Sequence, residues 1–186
     1  MSSTKNLNAQ LLPLPIIPLI PCFATLGRAL TCQDVISIGR TLTGCPPTII
    51  SDQTGIMGCQ SGQFTIITQG ENNLLRVPCG GCYSIDLSVA GRFTEVDPAF
   101  SNRFIYFGIC KNANTDFLIS PGIVVLPSNI TTGDTIPFNV STSGTVCLQA
   151  GDLIAPCAGF PLQEILPDIQ VVIVGLTMKV IKIGSC

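Results

Sequence analysis

The stretch CYSIDLSVAGRF at residues 82–93 decides the fold class, because apolar and polar side chains alternate along it. A period of two is typical of a β-strand that buries one face and exposes the other. The apolar face carries Tyr83, Ile85, Leu87 and Val89, and the opposite face carries Ser84, Asp86 and Ser88. We therefore predict a strand whose apolar face packs against a core.

Short segments of the same kind follow along the chain, separated by clusters of Gly, Pro, Asn and Asp. The other predicted strands are 63–68, 74–77, 103–110, 116–119, 123–126, 135–140, 145–149, 152–155 and 169–183, with a turn at Asn72-Asn73. The last of these is apolar on both faces at its centre, so we expect it to be a central strand. The pattern predicts an all-β fold, a jelly-roll β-sandwich, over residues 25–186.

Residues 1–24 are predicted to form an extended N-terminal arm. Its apolar part is interrupted by Pro13, Pro15, Pro18 and Pro21. Prolines at this density exclude a helix and a central strand but permit a polyproline-like ribbon. The residues expected to form an interface are Leu12, Leu14, Ile16, Ile17, Leu19 and Ile20. The ribbon either packs along its own domain or docks on a neighbouring subunit, and a targeting peptide is the remaining interpretation.

Charged residues make up only 11% of the chain, against about 25% in an average soluble domain. A soluble monomer needs a charged surface, so part of this surface is expected to become an interface between copies. We predict a homo-oligomer, whether trimer, ring or polymer, held by jelly-roll faces and the arm. The net charge of −2 and scattered Lys and Arg residues argue against nucleic acid as a partner.

No apolar run is long enough to span a membrane as a helix. The segment LLPLPIIPLIP at residues 11–21 resembles the core of a signal peptide, but it contains four prolines and lacks a clear cleavage site. We therefore expect no signal peptide and no membrane partner. Cysteine richness still indicates an oxidising final location.

Ten cysteines occur in this chain, which has no histidine. The candidates for intermolecular disulfides are Cys22, at the end of the arm, the C-terminal Cys186, and Cys32. The other disulfide candidates are Cys45, Cys59, Cys79, Cys82 and Cys157. Cys110 and Cys147 lie in apolar predicted strands, so we expect both to be buried. The sequence alone leaves the pairing open.

Cys79-Gly-Gly-Cys82 is a C-x-x-C pair, which can be a redox motif or half of a zinc site. A redox pair normally opens a helix, whereas this one opens a predicted strand, and no second C-x-x-C supplies the other zinc ligands. Disulfides and buried thiols remain the simpler interpretation. Without histidine there is no Ser-His-Asp or Cys-His set. We expect no catalytic residues, no metal site and no cofactor.

Two motifs carry a resemblance to a known family. Gly81-Cys82-Tyr83-Ser84-Ile85 is similar to an early strand, and LQAGDLI at residues 148–154 is similar to a late turn, of the tumour-necrosis-factor/C1q-like jelly roll. The chain most resembles the form of that fold in exosporium basal-layer proteins of bacterial spores, and its cysteine content resembles the disulfide-linked subunits of endospore appendages. The resemblance covers about residues 63–185 and implies a trimeric jelly roll, or a ring or stack of them.

These observations together predict a structural subunit, not an enzyme. We expect it to self-assemble into a disulfide-reinforced extracellular fibre or surface layer of a bacterial spore, where other spore-surface proteins are further candidate partners. A minor capsid or fibre protein of a virus predicts the same architecture. A carbohydrate- or receptor-binding module is the third interpretation, although Tyr83 and Tyr106 are both expected in core strands and the chain has no tryptophan.

Overall fold

We describe the fold from a computed structural model of the chain. The structure describes residues 64–69, 72–112, 117–160 and 169–184, together with the backbone of four earlier strands. In chain order the strands are β1 (Phe23–Arg28), β2 (Val35–Ile38), β3 (Thr48–Ile49), β4 (Gly55–Met57), β5 (Thr65–Gln69), β6 (Asn72–Arg76), β7 (Gly81–Val96), β8 (Phe104–Lys111), β9 (Gly122–Val125), β10 (Asp134–Leu148), β11 (Leu153–Gly159) and β12 (Ile169–Gly184). One short 3-10 helix, Pro98–Phe100, lies between β7 and β8.

The strands form two antiparallel sheets. The first sheet has the order β10-β7-β12-β1-β4, with β2 paired to β12, and the second has the order β5-β6-β11-β8-β9, with β3 paired to β11. The predicted all-β fold is therefore confirmed. The prediction that the last strand is central is also confirmed, because β12 lies between β7 and β1.

The alternation in β7 has the predicted orientation. Tyr83, Ile85 and Val89 are completely buried between the sheets. Asp86 and Ser88 are exposed on the outer face of the first sheet. β7 pairs with β10 along almost its whole length on one side and with β12 on the other. This double pairing fixes which side chains enter the core, because a slip of one residue would turn every side chain to the opposite face.

Three local predictions are wrong. Segments 135–140 and 145–149 belong to one strand, β10, because residues 141–144 continue the pairing with β7. Of the segment 116–119, Phe117 forms only an isolated bridge to Cys110. Asn72 and Asn73 belong to β6 and do not form a turn, and the buried Asn73 side chain accepts a hydrogen bond from Thr68 Oγ1 at 3.0 Å.

Three phenylalanines join the two sheets across the core. Phe138 of β10 stacks on Phe93 of β7, with ring centroids 4.6 Å apart, and on Phe107 of β8 at 4.9 Å. Phe93 and Phe107 come from opposite sheets and lie 6.3 Å apart. Such aromatic contacts add about 0.5–1.5 kcal/mol per pair beyond the burial of their surface.

The sandwich has two distinct ends. At one end, which we call the cysteine end, Val77 donates to Asp152 O and Gly151 donates to Val77 O, both at 2.8 Å, close to Cys82 and Cys147. At the opposite end, which we call the far end, Gly133 donates to Val96 O at 3.3 Å. Leu126 N–H donates there to Arg103 O at 2.9 Å. The start of β8 and the end of β9 therefore lie at the far end.

The turn at Gly151-Asp152, expected from the sequence, connects β10 to β11. Gly151 has a φ of +91°, which favours glycine. The Asp152 carboxylate accepts a hydrogen bond from Gln149 N–H at 2.8 Å and forms an ion pair with Lys111 at 2.9 Å. Burial acts to raise the Asp152 pKa, but the Gln149 hydrogen bond, Lys111 and the Asn112 amide outweigh it and hold that pKa below its usual value.

The Asp152→Asn variant is expected to be less stable at neutral pH by about 1–3 kcal/mol, because it removes the charge from a buried carboxylate that accepts hydrogen bonds in a partly exposed network. Since the folded pKa is lowered, the stabilisation by Asp152 is fully present above the unfolded pKa of about 3.9 and disappears as the pH falls through the folded pKa. Urea unfolding of both proteins from pH 7 to pH 2 checks this. A stability difference that is absent at pH 7, or that persists unchanged in acid, would contradict it.

Gly91→Ala is expected to destabilise the fold by about 1–3 kcal/mol, because overpacking a well-packed site forces the backbone to shift. A Cβ at Gly91 would lie 2.5 Å from Val172 O and 3.0 Å from the Phe138 ring. Gly184→Ala is the matched control, since a Cβ there meets nothing within 4 Å. Thermal unfolding of both variants checks the difference, and equal melting temperatures would refute the close approach of β7 to β12.

Candidate functional site: a cysteine cluster and an outer apolar strip

Cys82 and Cys147 lie directly opposite each other at the cysteine end. They are register partners at the start of β7 and the end of β10, and their sulfur atoms are 2.6 Å apart. Cys147 is exposed and Cys82 is half-buried. The prediction that Cys147 is buried is wrong, because its position in β10 points it to the outer face together with the exposed Ser141, Ser143 and Thr145.

Cys79 lies just before β7, beside this pair. The Lys182 ammonium group donates a hydrogen bond to Cys79 Sγ at 3.3 Å and another to Gly80 O at 2.8 Å. The Tyr83 hydroxyl donates to Cys79 O at 2.6 Å. A Cβ at Gly81 would lie 2.5 Å from Gly184 O, so only glycine lets the C-x-x-C segment pass so close to β12. We call Cys79, Cys82 and Cys147 the cysteine cluster because all three lie at the cysteine end; the sulfur atoms seen in contact are those of Cys82 and Cys147.

A second sulfur site lies in the other sheet. Cys110 of β8 and Cys157 of β11 form a disulfide, with their Cα atoms 6.0 Å apart. Their exposed fractions are 2% and 0%. Cys110 is buried, as its strand predicts, but as half of a disulfide and not as a thiol. By the chain-entropy argument, closing a loop of 47 residues stabilises the fold by about 4 kcal/mol.

Several predicted site residues lie outside the described residues. They are the disulfide candidates Cys22, Cys32, Cys45, Cys59 and Cys186, and the arm residues Leu12, Leu14, Ile16, Ile17, Leu19 and Ile20. The described strands still show where the chain enters and leaves the sandwich. Phe23, the first residue of β1, pairs with Ile181, and Gly184, the last residue of β12, pairs with Cys82. β1 therefore begins, and β12 ends, at the cysteine end of the first sheet.

The outer face of the first sheet is lined by small polar side chains. A shallow groove of about 510 Å³ runs along it between β10, β7 and β12. Its lining includes Ser88, Ser141, Ser143 and Thr177, with one acidic and one basic side chain, Asp86 and Lys179. Asp86 and Lys179 are register partners on neighbouring strands. The hydroxyl groups of this face have no imidazole to activate them, since the chain contains no histidine.

An apolar strip lies on the outer face of the second sheet at the far end. Phe104 of β8 is opposite Val125 of β9, and Tyr106 is opposite Ile123. The exposed fractions are 43% for Phe104, 53% for Ile123 and 62% for Val125. Tyr106 is half-buried, with its ring edge-on to Phe117. We call Phe104, Tyr106, Ile123 and Val125 the outer apolar strip.

The position of Tyr106 corrects the expectation that it belongs to the core. In β8 the inward positions are Ile105, Phe107 and Ile109, all at most 1% exposed. Tyr106 alternates with them and so faces outward. The run RFIYFGIC is apolar on both faces, which hides this alternation in the sequence.

The two sites differ in the chemistry of their side chains. Among the described residues, no three Cys, Asp or Glu side chains are grouped so that they could hold a metal ion. The part of the chain that the structure describes also has no helix long and apolar enough to cross a membrane. What the two sites offer is thiol chemistry at one end of the sandwich and apolar contact at the other.

The fold of this chain is similar to those of several solved structures. An Eiger TNF from S. frugiperda superposes with a TM-score of 0.59 over 89% of this chain and 95% of that chain, at 11% sequence identity. Murine APRIL at pH 8.0 superposes with a TM-score of 0.50 over 88% of this chain and 99% of that chain, at 12% identity. No protein-family model and no curated protein matches the sequence. At these identities the likeness shows the fold alone, which is a TNF-like jelly roll.

Proposed function

We propose that this chain is a structural subunit that self-assembles with copies of itself into a disulfide-reinforced extracellular fibre or surface layer, of the type found on bacterial spores. The spore assignment is supported by the sequence resemblance to exosporium and endospore-appendage subunits. The observation that carries self-assembly is the outer apolar strip. Covering its three exposed hydrophobic side chains would contribute about 3 kcal/mol, because each leaves roughly half of its surface in water.

The N-terminal arm of a second copy is the occupant that best fits the strip. Residues 11–21 are apolar and proline-rich, so they can approach as a preformed extended ribbon. Such ribbons bind surfaces lined by aromatic rings, and the strip contains Phe104 and Tyr106. The ribbon carries no charge, and the strip offers an uncharged surface.

The reach of the arm favours a neighbouring subunit over its own. The arm joins β1 at the cysteine end, whereas the strip lies at the far end of the other sheet. Phe104 lies about 12 strand positions from the start of β1, which is about 40 Å at 3.3 Å per residue. An extended ribbon rises about 3.1 Å per residue, so Ile20 stays within about 10 Å of β1 and Leu12 within about 34 Å. The apolar segment of one chain therefore stops short of Phe104 and Val125 of its own strip, and crossing from the first sheet to the second adds about 10 Å to the path.

Contact between opposite ends of two copies is heterologous, and such contacts form open chains unless a rotation closes them into a ring. The arm would then bring Cys22 to the joint between subunits, where a disulfide can lock the contact. Cys186 and Cys32 are the other proposed cross-linking residues. A disulfide of this kind would make the polymer resistant to heat and detergent, because dissociation then requires a covalent bond to break.

Two other functions fit the same fold. A viral fibre protein would use the same assembly, and only its biological source would distinguish it. A carbohydrate- or receptor-binding module is favoured by one observation, the outward-facing Tyr106 on the strip. Such a module needs no head-to-tail contact, so the oligomeric state of the protein separates it from the proposed function.

Replacing Phe104 and Val125 together by serine is expected to convert assemblies of the full chain into single subunits, because it removes the apolar contact. Val174→Ser is the matched control, since Val174 is 38% exposed but lies in β12 of the first sheet. Sedimentation velocity under reducing conditions measures the change. Near-UV circular dichroism confirms that each variant keeps its packed core.

A companion variant tests the occupant of the strip. Ile16→Ser with Ile17→Ser in the full chain is expected to reduce assembly as strongly as the strip variant. The proposal is wrong if the unmodified protein sediments as a monomer at micromolar concentration, or if both double variants assemble like the Val174→Ser control. If only the strip variant fails to assemble, the apolar strip is still a contact between subunits, but the arm is not the segment that binds it.

A further inference from the structure

We propose that Cys82 and Cys147 form a solvent-accessible, reversible disulfide couple that exchanges with small thiols and disulfides, while the Cys110–Cys157 disulfide stays inert in the folded protein. The proposal concerns chemistry within one subunit and does not depend on assembly. It assigns a redox site to the cysteine end of the first sheet, where residues Cys82 and Cys147 meet across two strands.

The pairing of β7 with β10 places the two sulfurs next to each other. Cys82 and Cys147 are opposite each other in a ladder that runs from Gly81 to Val96, so their relative position is fixed by many neighbouring hydrogen bonds. The sulfur atoms are 2.6 Å apart, and a shift of about 0.6 Å brings them to the bonding distance of a disulfide. The described ladder is therefore preorganised for bond formation.

Accessibility separates this pair from the other disulfide. Exchange requires a thiolate to approach one sulfur of a disulfide closely, so a buried bond is protected while the fold is intact. Cys147 is exposed, whereas Cys110 and Cys157 have exposed fractions of 2% and 0%. A small thiol can reach Cys147 in the native protein but reaches the second pair only after the sheets open.

A positive charge lies in the segment directly before Cys82. Lys182 binds Cys79 Sγ and Gly80 O in the segment directly before Cys82 and places a positive charge at this end of the sheet. Positive charge close to a cysteine stabilises the thiolate, which is both the attacking and the leaving species in exchange. The Lys182 contacts themselves are to Cys79 Sγ and Gly80 O, so the couple rests on the register and exposure of Cys82 and Cys147.

Oxidation proceeds in two exchange steps with a small disulfide, R–S–S–R, as the oxidant. The Cys147 thiolate attacks one sulfur of R–S–S–R, forms a mixed disulfide and releases one R–S⁻. The Cys82 thiolate then attacks the Cys147 sulfur of the mixed disulfide, forms the Cys82–Cys147 bond and releases the second R–S⁻. The two cysteines lose two protons and two electrons in total, and the small disulfide is reduced to two thiols. Reduction by a small thiol is the reverse sequence.

The test equilibrates the full chain with oxidised and reduced glutathione, traps thiols with a maleimide and maps disulfides by peptide mass spectrometry. We expect a Cys82–Cys147 cross-link in the oxidised sample that reduced glutathione removes at least about tenfold faster than Cys110–Cys157, because only the former is accessible. In guanidinium chloride, where the fold is lost, both bonds should be reduced at similar rates. Equal rates in the native protein, or a Cys79–Cys82 bond in place of Cys82–Cys147, would overturn the proposal.

Single variants test the order of the two steps. Cys82→Ser removes the resolving thiolate, so a stable glutathione adduct should accumulate on Cys147. Cys147→Ser should form such an adduct on Cys82 more slowly, since Cys82 is half-buried. Neither Cys82 nor Cys147 is among the buried core residues, so both substitutions are expected to preserve the fold. Absence of an adduct on Cys147 in the Cys82→Ser protein would contradict the mechanism.

Discussion

β7 is hydrogen-bonded to β10 along one edge and to β12 along the other, and the rest of the structure depends on this double ladder. The pairing fixes the register of three long strands, and the alternation within them sends one set of side chains into the core and the other outward. The same register places Cys82 opposite Cys147 and Asp86 opposite Lys179. The strand pairing that buries the inner-face side chains thereby also decides which sulfur-containing and charged side chains lie opposite each other on the outer face.

The two ends of the sandwich differ in their chemistry. β1 begins and β12 ends at the cysteine end, which also holds accessible sulfur, whereas the far end presents apolar surface on the other sheet. The buried Cys110–Cys157 bond and the Phe93–Phe107–Phe138 stack hold each sandwich together internally. In the proposed assembly, stability within a subunit and contact between subunits therefore rest on separate groups of residues.

The sequence predicts the fold where burial imposes a simple period. Alternation in β7 and the apolar run of β12 suffice for the all-β class and for the central strand. The sequence does not predict the continuous strand β10, because Ser141-Thr-Ser-Gly144 has the composition of a turn. In the structure this segment is held in the strand by its pairing with β7. Dividing β10 into two segments also leads to the wrong prediction that Cys147 is buried. In the continuous strand, Cys147 alternates with Val146 and Leu148, which face the core, so Cys147 faces outward. The pairing of Cys82 with Cys147 depends on register between distant strands, which no local pattern encodes.

Negative-stain electron microscopy of the purified full chain after air oxidation tests the central claim most directly. Head-to-tail contact between the arm and the outer apolar strip predicts open-ended filaments or layers built from repeating sandwich-sized units. A uniform field of single, unassembled particles would contradict self-assembly and would favour a binding module built on the same jelly roll.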